Sequence, residues 1–140
     1  MNLNYSFSRI YTFSAAHRLH SPKLSDDKNI EVYDKCNNLY GHGHNYSAEI
    51  TIKGEPDPET GMIISMTVLD DAVNKVIKQL DFKHLDNEVS WFSDKVSSGE
   101  NIVRYLWQEL EKRIGSEKLF HIKLDETNNN SFETGRKLNE

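Results

Sequence analysis

The sequence has one cysteine and no long hydrophobic run, and both features narrow what the protein can be. A single cysteine cannot form an intramolecular disulfide, so Cys36 is a buried filler, a metal ligand, a reactive thiol or an intermolecular partner. No segment approaches the roughly 20 apolar residues that span a bilayer, and the N-terminal stretch lacks the basic start and apolar run of a signal peptide. The sequence therefore predicts a cytoplasmic protein with no membrane partner.

Positive charge is also scarce, because 17 lysines and arginines face 22 aspartates and glutamates, for a formal net charge of -5. A nucleic-acid binder needs a surplus of basic residues on at least one face to displace counterions, so nucleic acid is not an expected partner. A local basic pocket can still bind an anionic small molecule. Basic residues near the motifs described below are Arg9, Arg18, Lys35 and Lys83.

Repeats, low-complexity tracts and linker-like segments are absent from the 140 residues, so residues 1–140 are predicted to form a single domain. Period-two alternation predicts strands over residues 5–19 and 42–53, and two short runs near the C-terminus predict a hairpin turning at residues 128–130. The polar residues 20–41 between the first two strands predict a loop that is longer than usual, and such loops are often functional.

Apolar residues at three- and four-residue steps predict two amphipathic helices, over residues 67–80 and 101–114. Ser97 and Glu100 stand at capping-box spacing before the second helix. Strands and helices occur in separate blocks, which predicts an α+β fold with a four-stranded antiparallel sheet and two helices on one face. The edges of such a sheet would be exposed, and pairing with neighbouring subunits would cover them.

Chemistry is concentrated in the stretch CNNLYGHGHNY, where Cys36 stands six positions before His42. His42 and His44 are two apart on a predicted strand, so their side chains leave the same face, and His17 can join them if the first two strands pair antiparallel. Three histidines are typical ligands of a catalytic zinc with an open fourth position. The motif also permits a closed zinc site with Cys36 as fourth ligand, or histidines without a metal.

Six segments together resemble the successive motifs of the 6-pyruvoyl tetrahydropterin synthase and 6-carboxytetrahydropterin synthase family. They are FSAAHRL, KCNNLYGHGHNY, GMI, LDFKHLDNEV, GENIVRYLW and DETNNN, and they occur in order over nearly the whole chain. The resemblance implies the tunnelling fold, in which the sheets of three subunits close a barrel and two trimers stack as a homohexamer. It also implies 7,8-dihydroneopterin triphosphate as substrate, with loss of triphosphate, internal movement of hydrogens and no external redox cofactor.

The resemblance also implies roles for individual residues. His17, His42 and His44 match the zinc ligands of the family, and Cys36 matches its general base. Glu126 matches the carboxylate that anchors the pterin ring, where a charged acceptor suits two adjacent N–H donors. The cofactor implied is therefore Zn²⁺.

A second segment of the family contacts the pterin, and Ser97, Ser98 and Glu100 match it. For Glu100 a capping role at the start of the helix fits equally well. The chain departs from the family at Gly99, where a residue such as Thr or Ala is usual.

Asp81 matches the acidic member of a relay that passes protons in the family. The family pattern there is Leu-Asp-His, but this chain has Phe82 after Asp81, and a phenyl ring cannot transfer a proton. His84 follows two residues later, in a segment predicted to be a turn, and we hypothesise that it replaces the missing relay histidine. The alternative is that His84 is an exposed loop residue.

Three functions follow as hypotheses. The first is a zinc-dependent lyase that forms 6-pyruvoyl tetrahydropterin, for which the Cys-to-His spacing argues. The second is a 6-carboxytetrahydropterin synthase of queuosine precursor synthesis, which uses the same substrate but cleaves its side chain. The third is a zinc-stabilised oligomeric binding protein without catalysis, and removal of the metal would distinguish it, because a structural metal supports folding.

Overall fold

The fold is that of a computed structural model, and the structure describes residues 3–136. The first two and the last four residues of the predicted domain 1–140 lie outside this range. The described residues form nine labelled elements, which are β1 (Ser6–His17), α1 (Asp26–Tyr33), β2 (His42–Lys53), α2 (Met66–Ile77), β3 (Lys83–His84), α3 (Leu85–Glu88), α4 (Gly99–Ile114), β4 (Leu119–Asp125) and β5 (Ser131–Gly135). Short 3₁₀ turns cover Asp34–Asn37 and Ser90–Phe92.

A long antiparallel pair forms the centre of the sheet, since β1 pairs with β2 over their full lengths, from Ser6 opposite Lys53 to His17 opposite His42. β4 continues the sheet beside β2, β5 forms the predicted hairpin with β4, and the strand order is β3-β1-β2-β4-β5. The predicted count of four strands is wrong, because β3 adds a fifth strand parallel to β1. Two residues are too few to produce a period-two signal, so β3 left no pattern in the sequence.

One face of the sheet carries the core, and the α+β class with helices on that face is confirmed. Inward positions of β1, β2 and β4 join the apolar faces of α2 and α4 in one buried cluster. Its largest fully buried members are Tyr46, Ile50, Ile52, Leu69, Leu80, Leu85, Ile102, Leu106, Leu110, Leu119, Ile122 and Leu124. Among the helices of residues 3–136, none combines the length and apolar character needed to cross a bilayer.

The segment predicted as a loop at 20–41 contains α1 and the 3₁₀ turn that carries Cys36. Two apolar residues of α1, Ile30 and Val32, are exposed, so the helix has no apolar face that periodicity could reveal. Instead, the buried Asn29 side chain bonds backbone groups of Ser21, Leu24 and Ser25. Hydrogen bonds from a buried side chain therefore anchor this helix, and the hydrophobic pattern of the sequence could not predict it.

Asp70 of α2 ties that helix to the central strand. Its carboxylate accepts hydrogen bonds from the Arg9 guanidinium at 2.9 Å and from the Tyr11 hydroxyl at 2.6 Å. Burial and the bonded carboxylate together raise the pKa of Tyr11 above its usual value. These contacts fix α2 against the N-terminal half of β1, away from the histidines.

We expect Asp70→Ala to lower the free energy of unfolding by about 1–3 kcal/mol, since it leaves the buried Tyr11 hydroxyl without its acceptor. Urea denaturation at pH 7 would measure the change. The matched control is Asp71→Ala on the same helix, whose carboxylate pairs with Lys75 in solvent and whose loss should cost under about 0.5 kcal/mol. Equal effects of the two substitutions would contradict the expectation.

Candidate metal centre

Strand register brings three histidines together at one end of the core face. His17 closes β1 directly opposite His42, and His44 lies opposite Ala15, so all three side chains project from the same side. One donor atom from each residue lies within 4.8 Å of the others. The three rings meet edge to face, with centroids 4.6 to 5.2 Å apart. This is the convergence that the sequence predicted.

His17 is held by the chain segment that precedes α4. The side chain is 1% exposed, and its Nδ1 lies 2.6 Å from the Ser97 carbonyl oxygen. A carbonyl only accepts hydrogen bonds, so Nδ1 carries the proton and the lone pair of Nε2 faces the cluster. Metal-binding histidines are commonly oriented by a second hydrogen bond of this kind.

The donor set fits a divalent metal ion such as zinc. The Nε2 atoms of His17 and His44 are buried, yet neither forms a hydrogen bond within residues 3–136. Burial lowers the pKa of both His42 and His44, and for His42 the neighbouring histidines lower the pKa further. Neutral imidazoles are the form that binds metal, so the lowered pKa of His42 and His44 favours metal binding at neutral pH.

Glu126 lies beside this cluster, just after the end of β4. Its carboxylate oxygens are 3.9 Å from Nε2 of His17 and 3.8 Å from Nε2 of His44, and the side chain is 12% exposed. The backbone N–H of Glu126 donates to the Asn130 carbonyl at 3.0 Å, which fixes the turn that carries it. A negative charge is therefore held next to the histidines, where a bound substrate could also reach it.

Tyr46 is a residue of this site that the sequence analysis did not single out. It follows His44 on the inward face of β2, is 1% exposed and stacks on Phe13 with ring centroids 5.0 Å apart. Its hydroxyl forms no hydrogen bond within residues 3–136. Burial and the nearby Glu126 carboxylate raise the pKa of Tyr46. The alternation His-x-His-x-Tyr could have identified it, since period two puts all three side chains on one face.

Cys36 lies on the 3₁₀ turn that precedes β2, and its thiol is free and partly exposed. The carbonyl oxygen of Cys36 accepts a hydrogen bond from Leu19, which holds the turn near the end of β1. Within residues 3–136, the group of donor atoms that could hold a metal contains the three histidines but not Cys36. The described geometry thus does not bring Cys36 into a fourth ligand position.

Asp81 and His84 lie along the outer edge of β1. One carboxylate oxygen of Asp81 accepts from the Ser14 N–H at 2.9 Å, and His84 pairs with Ala16 in β3. No hydrogen bond or ion pair within residues 3–136 joins Asp81 to the histidine cluster. His84 is neither in a turn nor fully exposed, because it belongs to a strand and its side chain is 23% exposed.

The ring of His84 packs over Gly41, the residue directly before His42. A Cβ placed on Gly41 would lie 2.9 Å from Nε2 of His84 and 2.8 Å from the His17 carbonyl oxygen. Gly41 also has a φ of +78°, which a residue with a side chain rarely adopts. Phe82 has a φ of +59° and a ring that is 85% exposed, so it points away from the core.

The capping box predicted for Ser97 and Glu100 is not formed. Ser98 is the N-cap of α4, and its side chain accepts from the Asn101 N–H at 3.3 Å. Ser97 is instead fully buried, and its carbonyl accepts the hydrogen bond from Nδ1 of His17. Glu100 lies exposed in the first turn of α4, and no recorded contact within residues 3–136 joins it to the histidines. Two adjacent serines offer the same capping chemistry, so spacing alone could not choose between them.

Gly99 opens α4 with the ring of Phe132 pressed against it. A Cβ on Gly99 would lie 2.2 Å from the nearest ring carbon of Phe132, far inside van der Waals contact. The absence of a side chain at position 99 therefore has a packing reason, which is the phenyl ring that β5 inserts there. The departure from the family pattern at this position is thereby explained by a large neighbour.

We expect Gly99→Ala to lower the free energy of unfolding by about 1–3 kcal/mol, because the new methyl group overlaps a partly buried ring. Thermal or urea unfolding of the variant would measure the loss. Gly99→Ala combined with Phe132→Val, which removes the obstructing ring, should cost less than the sum of the two single substitutions. Strictly additive effects would contradict the proposed clash.

A sheet with helices on one face and three histidines at one end of that face define the chain as an α+β protein with a three-histidine cluster that could hold a metal ion. The sequence profile of the family described as "6-pyruvoyl tetrahydropterin synthase" matches residues 6–137. The chain belongs to this family.

Curated relatives and a solved structure agree with that assignment. The chain is 47% identical over 124 residues to "6-pyruvoyl tetrahydrobiopterin synthase" of Poecilia reticulata, covering 88% of this chain and 84% of that protein. It is 45% identical over 124 residues to the protein of the same name from Homo sapiens, covering 88% and 86%. The structure of Caenorhabditis elegans 6-pyruvoyl tetrahydropterin synthase superposes with a TM-score of 0.92 at 37% identity, covering 96% of this chain and 97% of that chain.

Proposed function

We propose that the protein is a zinc-dependent lyase that converts 7,8-dihydroneopterin triphosphate to 6-pyruvoyl tetrahydropterin with release of triphosphate. The observation that carries the proposal is the cluster of three histidine donor atoms within 4.8 Å of one another, in a chain of the 6-pyruvoyl tetrahydropterin synthase family. The names of its relatives support an activity on pterins for this chain as well. The reaction would take place in the cytoplasm.

His17, His42 and His44 would hold the zinc ion, with the fourth position left for substrate. When bound there, zinc supplies Lewis acidity that polarises substrate hydroxyls and acidifies the neighbouring C–H bonds. The Ser97 carbonyl keeps His17 in the tautomer that this ligation needs. The unpaired, buried Nε2 atoms of His17 and His44 would gain the partner that they lack among the described residues.

Cys36 is proposed as the general base that removes a proton from the substrate side chain. It stands on the turn that leads into β2, six residues before His42, and the thiol has no fixed hydrogen-bond partner within residues 3–136. Glu126 would anchor the pterin ring by accepting from the ring N–H and amino group. Its place beside His17 and His44 would put the pterin next to the zinc.

Ser97, Ser98 and Glu100 are proposed to contribute to the pterin pocket from the start of α4. In support, the Ser97 backbone contacts His17 directly. The groove between α4 and β5 is lined by Glu100 together with Phe132 and Glu133. The exposed edges β3 and β5 are consistent with the homohexamer that the family resemblance implies, in which three subunits close one barrel.

The deciding experiment is to incubate the zinc-loaded protein with 7,8-dihydroneopterin triphosphate and to identify the products by mass. The 6-pyruvoyl product with free triphosphate is the expected result. A 6-carboxy or side-chain-free pterin would assign the protein to the cleaving branch, including the synthase of queuosine precursors. No turnover by a folded, zinc-replete oligomer would contradict the proposal and favour a binding protein without catalysis.

His84 is proposed to act with Asp81 in the proton relay, in place of the histidine missing at Phe82. We expect His84→Asn to lower turnover by about 10²-fold, as is typical for loss of a proton-transfer group, without loss of zinc. The measurement is the steady-state rate with the metal content checked for each preparation.

A matched variant tests the position as well as the residue type. The double substitution Phe82→His with His84→Asn returns the histidine to the place that it occupies in the family, and it should recover much of the activity. Phe82 is 85% exposed, so its replacement should cost little stability. Unchanged turnover in His84→Asn would remove His84 from the mechanism.

A further inference from the structure

A cleft of about 420 Å³ opens past the ends of β1 and β2, on the far side of the histidines from Glu126. Arg18 and His20 line it from the chain that leaves β1, Tyr40 lines it from the chain that enters β2, and His84 and Lys95 close it. The protein carries a net charge of -5, so a cleft with two permanent cations and two histidines is an unusual local concentration of basic groups.

Three of these residues, Arg18, His20 and Lys95, have N–H donors that remain available to a ligand. Arg18 uses Nε and one Nη for Asn37, and its other Nη forms no hydrogen bond within residues 3–136. The Asn37 amide also donates to Nδ1 of His20 at 3.1 Å, so the proton of His20 resides on Nε2, where it can be donated. Lys95 lies over the ring of Trp91, 4.5 Å from the centroid. Its ammonium donates to the Asp94 carboxylate at 2.9 Å and to the Trp91 carbonyl at 3.4 Å, which leaves one of its three donors for a ligand.

One carboxylate also lines the cleft, and it is largely satisfied. Asp86 accepts from the Arg18 backbone N–H at 2.7 Å and lies 4.0 Å from Nδ1 of His84. Its charge opposes an anion less than an unpaired carboxylate would, because a backbone donor already holds one oxygen. The cleft therefore offers a net excess of donors over acceptors.

The order of strands across the sheet indicates which part of the substrate the cleft could bind. His84 is on β3, His17 on β1, His42 and His44 on β2, and Glu126 follows β4, so the histidines lie between the cleft and the carboxylate. The proposed substrate has the same linear order, since its pterin ring, its hydroxyls and its triphosphate follow one another along the molecule. With the pterin at Glu126 and the hydroxyls at the histidines, the triphosphate would reach the cleft.

We infer that this cleft, through Arg18, His20 and Lys95, binds the triphosphate group of the substrate and releases it as the leaving group. The inference rests on the proposed function and assigns a site to the part of the substrate that carries nearly all of its charge. Planar guanidinium and ammonium donors suit phosphate oxygens, and they would hold the leaving group in place during elimination.

The test compares equilibrium binding of 7,8-dihydroneopterin triphosphate and of 7,8-dihydroneopterin to the zinc-loaded Cys36→Ala protein, in which turnover is suppressed. Adding Arg18→Gln, or separately Lys95→Met, should weaken binding of the triphosphate about tenfold and leave binding of dihydroneopterin unchanged. Arg18→Lys should retain part of the affinity. Lys112→Met, an exposed position on α4, is the control and should affect neither ligand.

Each outcome decides the inference. If both pterins bind but the cleft variants change neither affinity, or change both equally, the cleft does not hold the triphosphate and the lyase proposal stands without it. If ATP binds as tightly as the pterin triphosphate and responds to the same variants, the cleft is a general nucleotide site and the assignment is overturned. If neither pterin binds before the cleft is altered, the proposed function fails and this inference fails with it.

Discussion

Replacement of His42 by asparagine is expected to remove the bound metal and to abolish turnover. A zinc site in a protein is worth roughly 10–16 kcal/mol, so loss of one ligand in three should weaken metal binding by about 10²- to 10⁴-fold. Metal content after dialysis, measured by atomic absorption, should fall from one ion per chain to near zero. Turnover should fall in proportion, because the remaining chain has no Lewis acid for the substrate hydroxyls.

His121→Asn is the matched control for this prediction. His121 is on β4, its side chain is 32% exposed and its nearest charged partner is Glu133, so it is remote from the cluster. Metal content and turnover should be unchanged. A His42→Asn protein that keeps one zinc per chain would show that the histidines are not the metal site, whatever its activity.

The same site predicts how metal binding depends on pH. Burial lowers the pKa of His42 and His44, which means that the folded apoprotein resists their protonation more than the unfolded chain does. The unfolded chain therefore binds more protons below the ordinary histidine pKa, and the stability of the apoprotein should fall as the pH drops below about 6.5. Zinc should protect the protein in this range until proton competition releases it.

Replacement of Cys36 by alanine is also expected to have a large effect on turnover. We expect turnover to fall by about 10²- to 10⁴-fold, the usual contribution of a general base, while zinc remains bound to the three histidines. The thiol is partly exposed on a 3₁₀ turn, so its loss should change stability by under about 1 kcal/mol. The rate of product formation and the zinc content of the same preparation would measure both expectations.

Cys36→Ser separates the two roles that the sequence left open for this residue. A serine hydroxyl is a much weaker base than a thiolate, so turnover should remain low, whereas metal binding should be normal. Loss of zinc in either variant would mean that Cys36 is a fourth ligand and that the site is closed. Full activity in both variants would remove Cys36 from the chemistry.

The histidine site was predictable because strand geometry is regular. His17, His42 and His44 occupy alternate inward positions on two long strands, and period two specifies their face without any further information. The same alternation revealed the core positions of β2, and the three- and four-residue spacing revealed α2 and α4. Helix bounds differ by a few residues, since α2 ends at Ile77 and α4 begins at Gly99.

Elements stabilised by tertiary contacts were not predictable. β3 depends on the Asp81 carboxylate and the Phe82 N–H, which bond the edge of β1 and continue its ladder. The placement of Glu126 beside the cluster depends on the register of β4 against β2, in which Asp125 lies opposite Ser47. Alternation within a strand specifies the face that a residue occupies but not its partner on the next strand, so the proximity of Glu126 to the histidines required the structure.

The hydrogen bond between His17 and the Ser97 carbonyl limits which mutations the chain can tolerate. The acceptor is a main-chain atom, so the bond itself does not specify the amino acid at position 97, and only the fully buried setting requires a small one. The bond does require that the chain between β3 and α4 deliver that carbonyl at one point in space. Substitutions at exposed positions within residues 85–96 should therefore be tolerated more readily than a one-residue insertion or deletion, which would shift the carbonyl and leave the His17 imidazole free to turn.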